Sequence, residues 1–528
     1  MEKYDLCVIG GGPAGYAAAM RAIDFGKKVF LVEKNKLGGY GIYDGALASK
    51  TMWEISNKVL TVREEIGEDK RIDMSFSHVK SIIDEAIFER KFQLSCHLRI
   101  IHSETKLITY EKGSASFLTP HEIKIAKADG ESTVIYAEHV VIATGSRPRI
   151  LPTIDVDEKD ILTSDGILHL DEFPKSLVIL GAGIIGCEFA TMFSNFGKTK
   201  VYLIDKADRI LPFEDQDVAD VVADRLEEHG VVIHRGATLL RMEKVEGGVE
   251  YEFQNKDGSK ETIQVEKAML SIGRVPNTES LDLENAGVNM SEKGVYIGDE
   301  DTRTNVPHIY AVGDVSGHLA LVNIGEREAR HAVVKMFADI PVQPIHYENI
   351  STIMFLNPEV AAVGINEQQA QELKIPIRVS KVDYSTIARA IAMRKTTGFF
   401  KIIVSDDEEM KILGMRAVGE HASSAIQSVA LLMYMNKGVE ELAHMIHPHP
   451  SIVEGIQEAV RMLLGKSVYK SSVFKDKLKC YRRGVDGTIS PLNVLKEVPE
   501  PHEELEEDAQ KLREFNKQNS QSAGEQGY

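Results

Sequence analysis

The chain has 528 residues and a formal net charge of −18 at pH 7, length enough for roughly three to four domains with sizeable cores. That acidity argues against non-specific binding to nucleic acid or to anionic membrane surfaces. No apolar stretch reaches spanning length, and a strand is predicted from residue 4, which leaves no room for a signal peptide; the cytoplasm is the expected compartment.

The first predicted strand, Tyr4 to Ile9, leads into Gly10-x-Gly12-x-x-Gly15 and a small-residue helix, Ala14 to Ile23. A second strand, Val29 to Val32, ends in Glu33. This order makes a dinucleotide fingerprint with its context complete. The glycines permit a tight turn and close approach to a pyrophosphate, the helix N-terminus offers free N–H groups, and the acid takes ribose hydroxyls. From Lys50 to about Ile100 the apolar spacing predicts two amphipathic helices packed over this fold. Strand-rich sequence follows, and Val140 to Ile142 with Ala143-Thr144-Gly145 closes the lobe.

A second nucleotide fold is predicted over residues 151–272. Strand Ser176 to Leu180 precedes Gly181-Ala182-Gly183-Ile184-Ile185-Gly186, and strand Val201 to Ile204 ends in Asp205. A carboxylate there suits the free 2′-hydroxyl of NAD and repels the phosphate of NADP. Lys206 and Arg209 lie close by, so NADP stays as the less favoured alternative. The last strand, Lys267 to Ile272, ends in the turn Gly273-Arg274-Val275-Pro276-Asn277. The chain then reads Ile309-Tyr310-Ala311-Val312-Gly313-Asp314, a strand ending in Gly-Asp that is assigned to the first lobe, which the second domain interrupts.

Strands and helices alternate in a third domain, residues 347–466, which contains His447-Pro448-His449-Pro450-Ser451 and Glu454. Residues 467–528 change character. Val498-Pro499-Glu500-Pro501 leads into the charged stretch Glu503 to Lys517, expected to be helical, and the polar end is expected to be partly disordered. Such a charge run is a solvated appendage or a docking element for a protein partner. The four cysteines, Cys7, Cys96, Cys187 and Cys480, show no C-x-x-C and no metal-ligand spacing, so no metal site is predicted. Their number fits a reducing compartment. Cys7 and Cys187 are expected to be buried as small hydrophobes, and Cys480, in the tail, is the one candidate not expected inside a core element.

Taken in order, the two fingerprints, Ala143-Thr144-Gly145, Gly273-Arg274-x-Pro276-Asn277, Gly313-Asp314 and the His449/Glu454 pair resemble a pyridine nucleotide-disulfide oxidoreductase over roughly residues 1–466. This flavoprotein group includes lipoamide dehydrogenase, glutathione reductase, mercuric reductase and soluble transhydrogenase. The resemblance implies an α/β architecture of two Rossmann-like domains and a C-terminal α+β dimerisation domain. FAD would bind residues 1–150 and 273–346, NAD(P) residues 151–272, and residues 347–466 would form a homodimer. It implies that Gly10, Gly12, Gly15 and Glu33 hold the adenosine and pyrophosphate half of FAD, with Asp314 on the ribityl chain. Thr144, Gly145, Gly273 and Arg274 are further expected cofactor-binding residues, and Gly181, Gly183, Gly186 and Asp205 hold the nicotinamide nucleotide. Lys50 matches the family lysine near the reactive flavin nitrogen, Glu188 its ion-pair partner, and Ile184 the gate residue over the flavin. Glu188 also follows from its place one turn into the helix after the second fingerprint; the alternative is a helix-surface acid.

The resemblance breaks in one segment. Family disulfide enzymes carry Gly-Gly-x-Cys-x-x-x-x-Cys-x-Pro-Ser-Lys, and aligning Gly38-Gly39 and Ser49-Lys50 places Gly41 and Ala46 at the cysteine positions and Ala48 at the proline. Tyr40, Tyr43 and Asp44 differ as well, which favours natural divergence. Glycine and alanine cannot take part in thiol–disulfide exchange, so a dithiol relay through these positions is excluded. In disulfide relatives the histidine, oriented by the glutamate and contributed by the partner subunit, is acid–base for the thiol. Here His449 and Glu454 serve either in proton delivery or as a dimer-interface hydrogen bond. The expected activity is that of an FAD-dependent NAD(P)H oxidoreductase, with hydride passing from nicotinamide to flavin near Lys50 and Glu188. Electrons then go directly to a second nicotinamide, a quinone or dye, or a partner protein. Two alternatives stay open. One is dihydrolipoyl dehydrogenase activity with sulfur from elsewhere, Cys480 being the candidate; the other is an electron-relay flavoprotein subunit of a larger complex.

Overall fold

The computed structural model describes residues 1–66, 74–298, 301–492, 510, 511 and 514. The stretch Glu503 to Lys517 and the polar end therefore lie outside the described residues, save for Gln510, Lys511 and Glu514. The rest divides into two compact units. The first holds Met1–Ser56, Met74–Leu211 and His229–Tyr347, and the second the remaining described residues.

The first unit contains both nucleotide folds. Its first sheet is built from β1 (Glu2–Ile9), β2 (Val29–Glu33), β3 (Ile108–Lys112), β4 (Ser114–Phe117), β5 (Glu122–Ala126) and β6 (Ser132–Ile142), in the order β3-β2-β1-β6-β5-β4. Strand Ile309–Ala311 pairs in parallel with β6, so the late strand returns to the first lobe as its sequence suggests. The central strands are covered on both faces, hence their near-continuous apolar sequence. Leu6, Val8, Leu31 and Val141 pack with Ala18, Ala19 and Ala22 of α1 (Pro13–Asp24). Cys7, Ile9, Phe30 and Val32 pack on the opposite face. After β2 come the short α2 (Gly39–Ile42), then α3 (Ala46–Ile66) and α4 (Phe76–Thr105), the pair of helices expected between residues 50 and 100.

The second nucleotide fold centres on five parallel strands in the order Val232–Arg235, Lys200–Asp205, Ser176–Leu180, Lys267–Leu270, Ile161–Thr163. Helix α5 (Ile184–Phe196) follows its glycine turn, and an antiparallel three-stranded sheet spans residues 238–265. Strands Ser146–Pro148 and Arg274–Pro276 pair antiparallel where the chain leaves and re-enters the first fold.

The second unit is a seven-stranded antiparallel sheet, with helices Ala422–Tyr434 and Glu454–Leu463 contributing to its core. Three expectations do not hold. The boundary at residue 466 does not hold, because Leu478–Arg483 pairs with Ile377–Asp383 and Ile489–Pro491 pairs in turn with Leu478–Arg483. Alternation in that strand turns Leu478 and Cys480 inward, so Cys480 is a core residue at 6% exposure rather than a thiol outside the core. Segment 212–228, assigned from sequence to the second nucleotide fold, belongs to the second unit instead. Its carboxylates explain why. Glu214 binds buried Arg416 at 2.7 Å, while Asp215 and Asp217 lie 2.6 and 2.7 Å from Nζ of Lys401, a fully buried lysine that also contacts Glu367 at 3.0 Å. Burial disfavours the Lys401 ammonium, but Asp217, Glu367 and Asp215 outweigh it and hold the group charged. Among the described residues no helix is long and apolar enough to cross a membrane, and no cluster of His, Cys, Asp or Glu is placed to hold a metal ion.

Candidate active site

The first fingerprint folds into a backbone cradle. Gly10 has φ +107°, and a Cβ there would lie 2.3 Å from the Ala143 carbonyl oxygen. A Cβ on Gly15 would fall 1.8 Å from the Gly10 oxygen. Only glycine allows this closeness of strand, turn and helix. Gly12 is different: a Cβ there would meet nothing within 4 Å, so open space faces the turn. Gly12 is the N-cap of α1, no side chain caps that terminus and no acid sits in its first turn, which leaves its N–H groups for an anionic ligand. Glu33 ends β2 buried, accepting from the Gly11 N–H and the Asn35 N–H at 2.7 Å each. A carboxylate has about four acceptor positions, so two remain for hydroxyls.

The second fingerprint repeats the geometry. Gly181 has φ +105°, a Cβ on Gly186 would lie 1.9 Å from the Gly181 oxygen, and Gly183 again faces open space at an uncapped helix N-terminus. Asp205 takes the place of Glu33, accepting from Ala182 N at 2.6 Å and Ala207 N at 2.8 Å. Both sites thus fit a dinucleotide by the same features: a turn that tolerates only glycine, free helix N–H groups and a fixed acid.

Helices α3 and α5 bring the expected ion pair together. Lys50 Nζ lies 2.8 Å from Glu188 Oε2. Glu188 is 6% exposed, so it is not a helix-surface acid. Ile184, at the start of α5, is 38% exposed.

The cysteine-free segment lies directly on the first fingerprint. Gly38 donates to the Gly11 carbonyl at 2.8 Å, and a Cβ on Gly39 would approach Gly12 Cα to 3.3 Å. At Gly41 a Cβ would lie 2.3 Å from Pro13 Cγ and 3.0 Å from Pro13 Cδ. The position that would carry the first sulfur therefore has no room for a side chain unless Pro13 shifts. Two of the divergent residues reach across to the segment after strand Ile161–Thr163. The Tyr40 hydroxyl donates to Asp165, and Asp44 lies 2.8 Å from His169 Nε2. Burial and then Asp165 raise the Tyr40 phenol, burial raises the Asp165 carboxyl, and the hydrogen bond to Asp44 raises His169. These partners stand 125 residues apart in sequence, and no spacing rule points to them.

Tyr40 also joins the remaining residues expected at the cofactor. The Arg274 guanidinium lies 4.5 Å from its ring centroid, and Arg274 Nε donates to Ser146 Oγ at 2.7 Å. Ser146 Oγ in turn donates to Asp314 at 2.6 Å. Thr144 donates to the Asn277 carbonyl at 2.7 Å while Asn277 donates back at 3.0 Å, which closes Gly145 against the Gly273 turn. Ser146 was not singled out from the sequence, although its place directly after Ala143-Thr144-Gly145 was the available signal.

In the second unit His449 Nδ1 lies 2.8 Å from Glu454 Oε1. Burial works against it, but the Ser451 N–H and His449 hold the Glu454 carboxylate below its ordinary range. Of the thiols, Cys7 in β1 and Cys187 in α5 are fully buried, and burial pushes both up. Cys96 is half-buried on α4.

Fold and site together define a two-nucleotide oxidoreductase: two dinucleotide cradles, and a lysine–glutamate pair that joins α3 to α5, the helix after the second cradle. The chain matches the description Pyridine nucleotide-disulphide oxidoreductase over residues 4–329 and the dimerisation domain of the same group over residues 350–460. It belongs to the pyridine nucleotide-disulphide oxidoreductase family, whose cofactors are FAD and NAD. A dihydrolipoyl dehydrogenase of Bacillus subtilis is 33% identical over 88% of this chain and 99% of its own length. The mitochondrial dihydrolipoyl dehydrogenase of Schizosaccharomyces pombe is 33% identical over 88% and 91% respectively. Among solved structures, LpdA from Mycobacterium tuberculosis aligns with TM-score 0.79 at 27% identity, and the HOCl-induced flavoprotein disulfide reductase RclA from Escherichia coli, as its Cu(II) complex, with 0.77 at 27%. Each alignment covers 88% of this chain and 100% of the other. The chain is an FAD-dependent, NAD-linked oxidoreductase by this membership.

Proposed function

We propose that this protein accepts hydride from NADH in the manner of its family and passes electrons from the flavin site directly to an acceptor, without a dithiol relay. The observation that carries the reading is the contrast within the short segment Gly38 to Lys50. Lys50 keeps its 2.8 Å pair with Glu188, while Gly41, at the first sulfur position, abuts Pro13 so closely that any side chain would have to displace it. When bound, FAD supplies a two-electron acceptor for hydride. The chain's own residues do the rest. The Gly10–Gly15 and Gly181–Gly186 turns bind two pyrophosphates, Glu33 and Asp205 take the riboses, and Asp314 is steadied by Ser146 and Arg274. Lys50, oriented by Glu188, sets a positive charge where reduction adds negative charge. Asp205 favours NAD over NADP as donor. A second nicotinamide, a quinone or dye, and a partner protein are the acceptor classes compatible with a flavin that lacks a disulfide neighbour.

Cys480 supports no dihydrolipoyl dehydrogenase route by borrowed sulfur, since it is a core residue of the second unit. The four-cysteine count still fits a reducing compartment, and the cytoplasm is the proposed location. Homodimer formation through the dimerisation domain is supported by large apolar side chains exposed in that domain, with Tyr434 at 75% and Ile446 at 97%. In such a dimer His449, oriented by Glu454, is the candidate proton donor to the acceptor. The test is anaerobic mixing with NADH and with NADPH, followed by an acceptor panel of lipoamide, a nicotinamide analogue and a quinone. Bleaching of the oxidised-flavin band by NADH and turnover with an acceptor other than lipoamide are expected. No bleaching with either nucleotide would sink the proposal.

A further inference from the structure

Glu328 is a buried carboxyl for which the hydride chemistry has no use. Helix Val322–Phe337 approaches the Gly313–Asp314 turn so closely that a Cβ on Gly325 would lie 3.2 Å from both Ala14 Cβ and Gly313 Cα. This approach sets Glu328, 1% exposed, against the turn. Its Oε2 accepts from the Gly313 N–H at 2.6 Å and its Oε1 from the Tyr347 hydroxyl at 3.0 Å. The charged and titratable groups around it are few. The turn presents Asp314, α1 presents Ala14, the His318 ring packs on Tyr347 at 4.4 Å, and Arg327 and His331 flank Glu328 on its own helix. Among the described residues no lysine or arginine forms an ion pair with Glu328.

A buried carboxylate with two hydrogen bonds and no cation is costly, and Asp314 repels it. The protonated form relieves both and keeps both contacts: the Oε1 proton is donated to Tyr347, whose oxygen now accepts, while Oε2 still accepts from Gly313. Burial and then Asp314 accordingly raise the carboxyl to about 7.

We infer that Glu328 is a proton-linked positioning residue of the flavin site: it holds the Gly313–Asp314 turn in either protonation state and takes up a proton when negative charge arrives beside that turn. The inference rests on the reading that FAD binds there. FAD brings the negative charge, and linkage makes the effect reciprocal: binding draws a proton onto Glu328, and raising the pH weakens binding.

The experiment is calorimetric titration of FAD into the apoprotein between about pH 6 and 9, in buffers of differing ionisation enthalpy, which counts protons taken up. The parent protein is expected to take up a fraction of a proton, most near neutrality and just above, with Kd weakening by at most about tenfold per pH unit there. Glu328→Gln removes the uptake and flattens the Kd profile. Tyr347→Phe removes a donor that favours the ionised form, so the uptake maximum moves to higher pH. Proton uptake unchanged in Glu328→Gln, or FAD binding by the parent with no uptake, overturns the inference. Should Glu328→Gln not fold, an unmoved maximum in Tyr347→Phe overturns it equally. An apoprotein that binds no FAD at all would instead remove the flavoenzyme reading.

Discussion

Restoring the sulfurs should not restore a disulfide reductase. At Gly41 the atom to be added is fixed in space: a Cβ would sit 2.3 Å from Pro13 Cγ, where two carbons want about 3.5–4.0 Å. The neighbour must yield by more than about 1 Å, a degree of overpacking that costs about 1–3 kcal/mol. Against a total stability of about 5–15 kcal/mol the fold survives. The strain has a definite address, because Pro13 is the first residue of α1 and lies inside the Gly10–Gly15 cradle. Gly41→Ala, which adds the Cβ alone, should therefore lose about 1–3 kcal/mol in urea denaturation. If about 1.4 kcal/mol of that is felt at the cradle, FAD binds about tenfold more weakly. The double variant Gly41→Cys/Ala46→Cys should show no dihydrolipoamide-dependent NAD reduction and no long-wavelength band from a thiolate beside the flavin. A Gly41→Ala protein with parental stability and FAD affinity, together with lipoamide turnover in the double variant, would refute the reasoning.

Four other outcomes are expected. Glu188→Gln removes the charge that orients Lys50; a hydrogen bond to a charged group is worth about 1.5–3 kcal/mol, so stopped-flow reduction by NADH should slow by about 10- to 150-fold with FAD retained. Lys401→Met leaves the buried Asp215 and Glu367 carboxylates without their shared cation and should cost about 3–5 kcal/mol, read by thermal unfolding. Replacing His449 by Ala should slow acceptor turnover with flavin reduction unchanged, whereas parental turnover would leave it an interface hydrogen bond. Glu328 is raised from 4.5 to about 7, so the native state holds the extra proton across that window. Its contribution to stability is full below the ordinary carboxyl range and is lost as the pH rises through 7, by at most roughly 3 kcal/mol. Urea titrations of the parent and Glu328→Gln at several pH values should therefore diverge by that amount across the window, and parallel profiles would count against it.

What could be read in the sequence was what local backbone geometry dictates. Gly10, Gly15, Gly181 and Gly186 are constrained by atoms a few residues away or on the adjoining strand, so their spacing announces the cradles, and Glu33 and Asp205 follow at the ends of the next strands. Lys50 and Glu188 were legible through resemblance, and their meeting at 2.8 Å depends on the packing of two helices that no pattern specifies. The partners of Tyr40 and Asp44 were not legible, because Asp165 and His169 become neighbours only once both nucleotide folds are assembled. Cys480 was misplaced for a related reason. The strand around it reads Leu478-Lys479-Cys480-Tyr481-Arg482-Arg483, and its lysine and arginines disguise an alternation with one face in the core. Segment 212–228 was assigned by chain continuity, while its Glu214, Asp215 and Asp217 carboxylates find their cations on the second unit's sheet.

Anaerobic titration of the purified flavoprotein with NADH, its spectrum recorded throughout, decides whether this chain handles electrons without a redox disulfide. One hydride equivalent per flavin is expected to complete the reduction, with no thiolate–flavin charge-transfer band at any point. Uptake of a second equivalent, accompanied by that band, would mean that a dithiol does sit beside the flavin and would contradict a disulfide-free route.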